Sequence, residues 1–132
     1  MAIRLNNAMR SQIVNSGIVG GFGTSGILKV YGGTQPSTGG EATTQGIIVE
    51  IGSIDWGAAT NGTALITGTK TGTANTAGTA TWARLSGSDG TSYIIDGNCG
   101  TASTCDFVID AVGIASTSIV SLTAATIVQP AA

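Results

Sequence analysis

The hydrophobic and polar positions along the chain follow two different periods. At the start, Leu5, Met9 and Ile13 recur every four residues with mostly polar residues between them, which predicts an amphipathic helix over residues 4–16. The pair Ser16-Gly17 is a typical helix stop, and the glycine-rich stretch after it predicts a connector. A helix this short is marginal alone, so it must dock on its own sheet or on a neighbouring subunit.

From Gly26 onward the pattern is that of β-strands. In "IIVEIGSI", Ile47, Val49 and Ile51 fall on one face, while Ile48 and Glu50 fall on the other. Similar short stretches recur between clusters of Gly, Asn, Asp and Ser. The predicted strands lie at residues 27–33, 47–54, 63–69, 78–87, 91–97, 105–110 and 116–128.

Regular short strands without helices between them predict an all-β fold. We expect an antiparallel β-sandwich or jelly roll of about eight strands, preceded by the short helix. The expected organisation is a helix and connector at residues 1–25 and the β-sandwich domain at residues 26–132. The Thr/Gly/Ala-rich stretch at 68–81 is too short for a solenoid and predicts a threonine-lined hairpin of two strands.

Composition narrows the function classes. Only 9% of residues are charged, and a surface made largely of Thr, Ser, Ala and Gly favours a protein that covers much of itself with neighbours. The five cations are scattered, which argues against nucleic-acid binding, and no apolar run is long enough to cross a membrane. The N-terminus does not resemble a secretory signal, so synthesis in a cytoplasm without export is expected.

The residues able to carry chemistry are few. Histidine is absent, which removes the commonest general base and most zinc sites, and the spacing of Cys99 and Cys105 fits neither a CxxC motif nor a zinc knuckle. The two cysteines can form a disulfide across a short loop, stay as free thiols, or serve a metal or redox role. We expect Asp96 at a tight turn, and Asp106 and Asp110 on the solvent face of a strand.

Four larger aromatic residues, Tyr31, Trp56, Trp82 and Tyr93, allow two interpretations. They can stack on carbohydrate, or they can fill the core of a sandwich otherwise made of small residues, and we expect the core role. Neither these residues nor the acids form a recognisable catalytic pattern. We therefore expect no enzyme, no catalytic residues, no bound metal and no cofactor.

Several stretches resemble a family of small tailed-phage virion structural proteins. They are "RLNNAMRSQIVNSG", "GILKVYGGTQP", "TATWARLSG", "IIDGNCGT" and "STSIVSLTAATIVQPAA", in the order that the family has them. The resemblance implies a β-protein made in the bacterial host cytoplasm and placed in the virion, on the capsid exterior as a cement or decoration protein bound to the major capsid protein. The Cys99–Cys105 pair is not part of the family pattern.

On this interpretation the protein is a homo-oligomer, with a trimer favoured, that binds the shell without catalysis. The alternatives are a neck or tail protein of the same virion, and a carbohydrate-binding or adhesive β-module. The expected interface comprises the helix residues and the strand "ILKVY", taken as a sheet edge able to extend a neighbouring sheet. Its residues are Leu5, Met9, Ile13, Ile27, Lys29 and Tyr31.

Overall fold

The computed structural model describes residues 3–130 and confirms an all-β protein with one N-terminal helical segment. The segment is α-helical at Asn7–Ile13, π-helical at Val14–Val19 and α-helical again at Gly20–Phe22. Ten strands follow. They are β1 (Gly26–Tyr31), β2 (Ile47–Ile54), β3 (Thr63–Leu65), β4 (Lys70–Thr73), β5 (Gly78–Thr79), β6 (Trp82–Ser86), β7 (Ile95–Gly100), β8 (Phe107–Ile109), β9 (Gly113–Ile114) and β10 (Ile119–Val128).

The helical segment begins near its predicted start and runs past its predicted end. The side chain of Asn6 caps it by accepting a hydrogen bond from the Met9 N–H at 2.9 Å. The predicted stop at Ser16-Gly17 is wrong, because Val14 and Phe22 both bury their side chains in the core and hold the intervening turns helical. The helix ends at Gly23, whose φ of 61° favours glycine.

Most of the strands form one curled sheet in the order β2-β1-β6-β7-β8-β10-β3, and β4 also pairs with β10. Every pair in it is antiparallel except β7 with β8. The sheet curls until β4 lies against β2, where Ala74 bridges Val49 and the Asn75 N–H donates to the Ile48 carbonyl at 2.8 Å. The two layers of the molecule are therefore opposite sides of one sheet, and the core lies between them.

The threonine-rich stretch at 68–81 contains two strands, as predicted, but they do not form a hairpin with each other. β4 pairs with β10, and β5 pairs with β9 in a separate small ladder. A hairpin prediction assumes that neighbouring strands pair, whereas here the closure of the sheet takes β4 to a strand almost fifty positions later in the chain.

The core follows the alternation along each strand. On β1, Leu28 and Val30 point inward, and on β6 Ala83 and Leu85 do the same; all four are fully buried. The helical segment contributes Val14 and Phe22 to this same cluster. Residues 3–25 and the sheet thus share one hydrophobic core, which fixes the helix in place on the sheet.

Candidate functional site

The first part of the expected interface lies on the helical segment. Met9 is 52% exposed and Ile13 is 40% exposed, while Leu5 is half-buried just before the helix. The structure therefore leaves two of the three predicted positions with apolar side chains open to solvent.

Three hydrogen bonds hold the opposite side of the helix. Arg10 Nε donates to the Gln129 carbonyl at 2.8 Å, the Ser11 hydroxyl accepts from the Gly62 N–H at 3.0 Å, and Asn15 Oδ1 accepts from the Ala59 N–H at 2.8 Å. Position 62 requires a glycine, because its φ is 80° and an added Cβ would lie 2.8 Å from Arg10 Cβ. The helix thus presents its exposed apolar residues from a fixed position.

The second part of the expected interface is not a sheet edge. β1 pairs with β2 on one side and with β6 on the other, so its backbone groups are already bonded. The edge prediction for "ILKVY" is wrong because β6, far along the chain, returns to cover that side. Ile27 and Lys29 are half-buried, and Tyr31 is buried.

Tyr31 belongs instead to a polar and aromatic cluster on the outer face of the sheet. Its ring stacks on Trp82 at a centroid distance of 4.4 Å, and the Arg84 guanidinium lies 5.4 Å from the Trp82 ring centroid. Arg84 pairs with the carboxylate of Asp96 on the neighbouring strand at 2.7 Å, and their side chains are only 11% and 2% exposed. This carboxylate raises the pKa of Arg84, while burial raises the pKa of Tyr31.

This cluster holds the loop 32–46 against the sheet. Trp82 Nε1 donates to Gln45 Oε1 at 2.7 Å, Arg84 donates to the Glu41 carbonyl at 2.6 Å, and Asp96 accepts from the Gly40 N–H at 3.1 Å. The polar groups of Trp82, Arg84 and Asp96 are thus each directed at another protein group, so the cluster acts as a clamp on the loop. The sequence analysis did not predict this cluster. The signal it could have used is that Arg84 and Asp96 both fall on the outward face of their strands.

The expected turn at "DGN" is wrong, because Asp96–Asn98 lies inside β7. Gly97 is used there for close approach: a Cβ would lie 2.9 Å from Asp106 Cβ. Asp106 and Asp110 are exposed, as expected. Asp106 Oδ2 accepts from the Asn98 N–H at 3.0 Å. Within residues 3–130, no three acidic or cysteine side chains group as a metal site requires.

The two cysteines are free thiols in the structure. Cys99 is buried at the end of β7, and burial together with Cys105 raises its pKa to about 12. Because the thiolate is the nucleophile, a thiol with so high a pKa is unreactive at neutral pH. Cys105 is half-buried, with its Sγ close to Gly100.

The core role predicted for the aromatic residues is confirmed for Trp56, which is 6% exposed and packs in the hydrophobic core. Trp82 and Tyr31 are buried as well, but on the outer face of the sheet beneath the loop 32–46. The prediction is wrong for Tyr93, which is 66% exposed. One exposed ring is not a stacking platform. The indole N–H of Trp56 finds no acceptor among the described residues, in contrast to that of Trp82.

The outer surface is poor in charge and carries scattered large apolar side chains. Among the described residues there are two ion pairs, Lys70–Asp55 and Arg84–Asp96. No helix in residues 3–130 has the length and apolarity needed to span a membrane. The large apolar side chains that are exposed are Ile3, Met9, Ile13, Leu65, Tyr93, Ile119 and Val128.

The geometry defines a small all-β protein with one N-terminal helical segment. No family model matches the chain, and neither a curated protein nor a solved structure was found to match it. Functional inference therefore depends on the surface chemistry and on the sequence motifs.

Proposed function

We propose that this protein is a virion structural protein of a tailed phage, a cement or decoration protein that binds the exterior of the assembled capsid. The ordered motifs in the sequence support this proposal. A further support is that the quoted segments "GILKVYGGTQP", "TATWARLSG" and "IIDGNCGT" supply three adjacent strands, β1, β6 and β7, and the loop clamped on them.

The proposed mechanism is linkage between binding and shell stability. A protein that binds the assembled shell but not the free capsid subunit stabilises the assembled state by the free energy of binding. Such a role needs many rigid copies with small contact surfaces and needs no catalytic group. In this proposal the protein is a small homo-oligomer, preferably a trimer, whose partner is the major capsid protein.

The observation that carries the proposal is the outward pair Met9 and Ile13 on an anchored helix. Because the helix is anchored, its backbone loses little conformational entropy on binding, which favours Met9 and Ile13 as contact anchors. The charge-poor surface around them also lowers the desolvation cost of covering it with a neighbour.

The test is binding to shells purified from particles of the phage that encodes this chain, after removal of the bound copies. Wild-type protein should co-sediment with the shells in hundreds of copies. Met9→Asp and Ile13→Asp should each weaken binding by about tenfold or more, because a carboxylate would replace a buried apolar contact. Ile119→Asp is the matched control, since Ile119 is an apolar side chain that is 69% exposed at the end of β10 far from Gln129, where the helix is anchored, and this variant should bind as wild type.

Two outcomes would contradict parts of this proposal. A copy number of about a dozen per virion would place the protein in the neck or tail at the unique vertex, because a single closed ring there holds only a few copies. Absence from purified particles, with binding to a host glycan, would favour the adhesive module. That alternative has weaker support, since Trp56 and Trp82 are buried.

A further inference from the structure

A strand is missing from one place in the curled sheet. β8 lies between β7 and β10, but it begins only at Phe107. Within the described residues no strand pairs with Ile95–Gly97 on the side away from β6. A cleft of about 220 Å³ lies there, bordered by β7, the start of β8, and Thr126 and Ile127 of β10.

The β7 wall of this cleft has unused backbone groups. The Cys99 N–H donates to Thr81 beside β6, and the Asn98 N–H donates to Asp106 on the opposite side. Because backbone groups alternate along a strand, those of Asp96 point in the same direction as those of Asn98. The N–H and C=O of Asp96 therefore face the cleft.

The β10 wall has the same property. The Gln129 N–H donates to Gly62, and the Ala125 carbonyl accepts from the Ile66 N–H, both on the side of β3. By alternation, the backbone groups of Thr126 point away from β3 and into the cleft. Two strand edges thus face each other across a space in which one strand of the sheet is absent, and Asp106 lies at its β8 end beside Thr126.

The cleft also has a distinct inner and outer side. Ile95 and Ile127 are partly buried against the core, and Phe107 is 3% exposed, so the inner side is apolar. The carboxylate of Asp96 lies on the outer side and pairs with Arg84, whereas the exposed Asp106, whose carboxylate lies in the cleft beside Gly97 and Asn98, has no cationic partner among the described residues. A strand that fits must therefore alternate apolar, cationic and apolar residues.

The chain itself contains one such segment. Residues Ile3, Arg4 and Leu5 have this alternation, precede the helix, and belong to no helix or strand. Ile3 is the most exposed large apolar side chain among the described residues, at 86%, and Arg4 is exposed and forms no ion pair there. In its own molecule the segment lies outside the cleft, which leaves it available to another copy.

We propose that Ile3–Leu5 of one copy adds as a short strand to the cleft between β7 and β10 of a second copy. Ile3 and Leu5 point to the apolar inner side, and Arg4 lies beside the carboxylate of Asp106. Strand addition of this kind gains affinity from main-chain hydrogen bonds and selectivity from alternate side chains. Since the donor and the acceptor are different surfaces, the contact can be reciprocal in a dimer or head-to-tail in a closed ring.

This inference deepens the proposed function, because it names how the copies of the virion component join. Its test uses the protein without shells, so that its failure is distinct from failure of shell binding. Light scattering across a concentration series should show an oligomer well above the 13.0 kDa monomer. Ile3→Asp should weaken self-association by about tenfold or more. Asp106→Asn keeps the oxygen that accepts from Asn98 and should weaken self-association by about two- to fivefold.

The control is Ile119→Asp, which places the same charge at an apolar side chain that is 69% exposed at the opposite end of β10 and should leave the oligomer unchanged. A photo-crosslinking residue at position 3, in a mixture of isotopically light and heavy copies, should join a light chain to a heavy one at residues 95–97 or 126–127. A wild-type monomer at all concentrations, crosslinks confined to single chains, or crosslinks elsewhere would each overturn the proposal.

Discussion

Removing the guanidinium of Arg84 should destabilise the protein more than any other single loss of charge. In the variant Arg84→Met, the side chain keeps its apolar length but leaves the carboxylate of Asp96 buried, with the Gly40 N–H as its remaining partner from the loop. Removing one partner of a buried pair costs about 3–5 kcal/mol. The hydrogen bond from Arg84 to the Glu41 carbonyl, one of the contacts that clamp the loop 32–46, is lost at the same time.

The matched control is Lys70→Met, which breaks the other ion pair of the described residues. Lys70 and Asp55 are 2.8 Å apart, as close as Arg84 and Asp96, but their side chains are 24% and 29% exposed. Water can solvate the remaining carboxylate there, so the expected cost is about 1 kcal/mol or less. The comparison measures burial together with geometry, because Arg84 makes two hydrogen bonds to Asp96 and one to the Glu41 carbonyl, whereas Lys70 makes a single contact with Asp55.

Urea unfolding followed by tryptophan fluorescence measures both costs. With an m-value of about 1.5 kcal/mol/M, Arg84→Met should lower the midpoint by about 2–3 M and Lys70→Met by less than about 0.7 M. The double variant Arg84→Met with Asp96→Leu should recover much of the loss, because it removes the uncompensated buried charge. Equal midpoints for the two single variants, or no recovery in the double variant, would refute this reasoning.

Two further outcomes are expected. Trp82→Phe should cost about 1–3 kcal/mol more than Trp56→Phe in the same unfolding assay, because the Trp82 indole donates to Gln45 whereas the Trp56 indole lacks a partner. Burial raises the pKa of Cys99 from its ordinary value of 9.0 to about 12, so the folded state favours the protonated thiol. The resulting stabilisation is fully present below pH 9 and is lost as the pH rises from 9 toward about 12. The urea midpoint of the wild type should therefore decrease relative to that of Cys99→Ala as the pH is raised from 9 to 11. Parallel plots of the midpoint against pH for the two proteins would contradict this.

The local pattern identified most strands because each one buries alternate residues. "IIVEIGSI" forms β2 with the bounds predicted, since Val49 and Ile51 must face the core. The start of the helix could also be predicted approximately, because the Asn6 cap and the apolar spacing after it are local features of the sequence. Its end was not, because a glycine-rich sequence remains helical only where Val14 and Phe22 meet the sheet.

The candidate surfaces show the same division. Exposure of Met9 and Ile13 could be anticipated as one face of a helix, but which side docks depends on Gly62, Ala59 and Gln129, all distant in sequence. Likewise, the clamp around Trp82 forms only where the loop 32–46 contacts two strands, and a contact between segments distant in the sequence cannot be predicted from the periodicity of any one of them.

The sequence by itself determined the class of the fold, because burial of alternate side chains is a local property that a strand carries wherever it pairs. Only the tertiary structure decided which strands are neighbours. It placed "ILKVY" inside the sheet, converted "DGN" from a turn to part of β7, and left a strand position open beside β10. These features depend on the closure of the sheet, which the hydrogen bonds between distant segments determine.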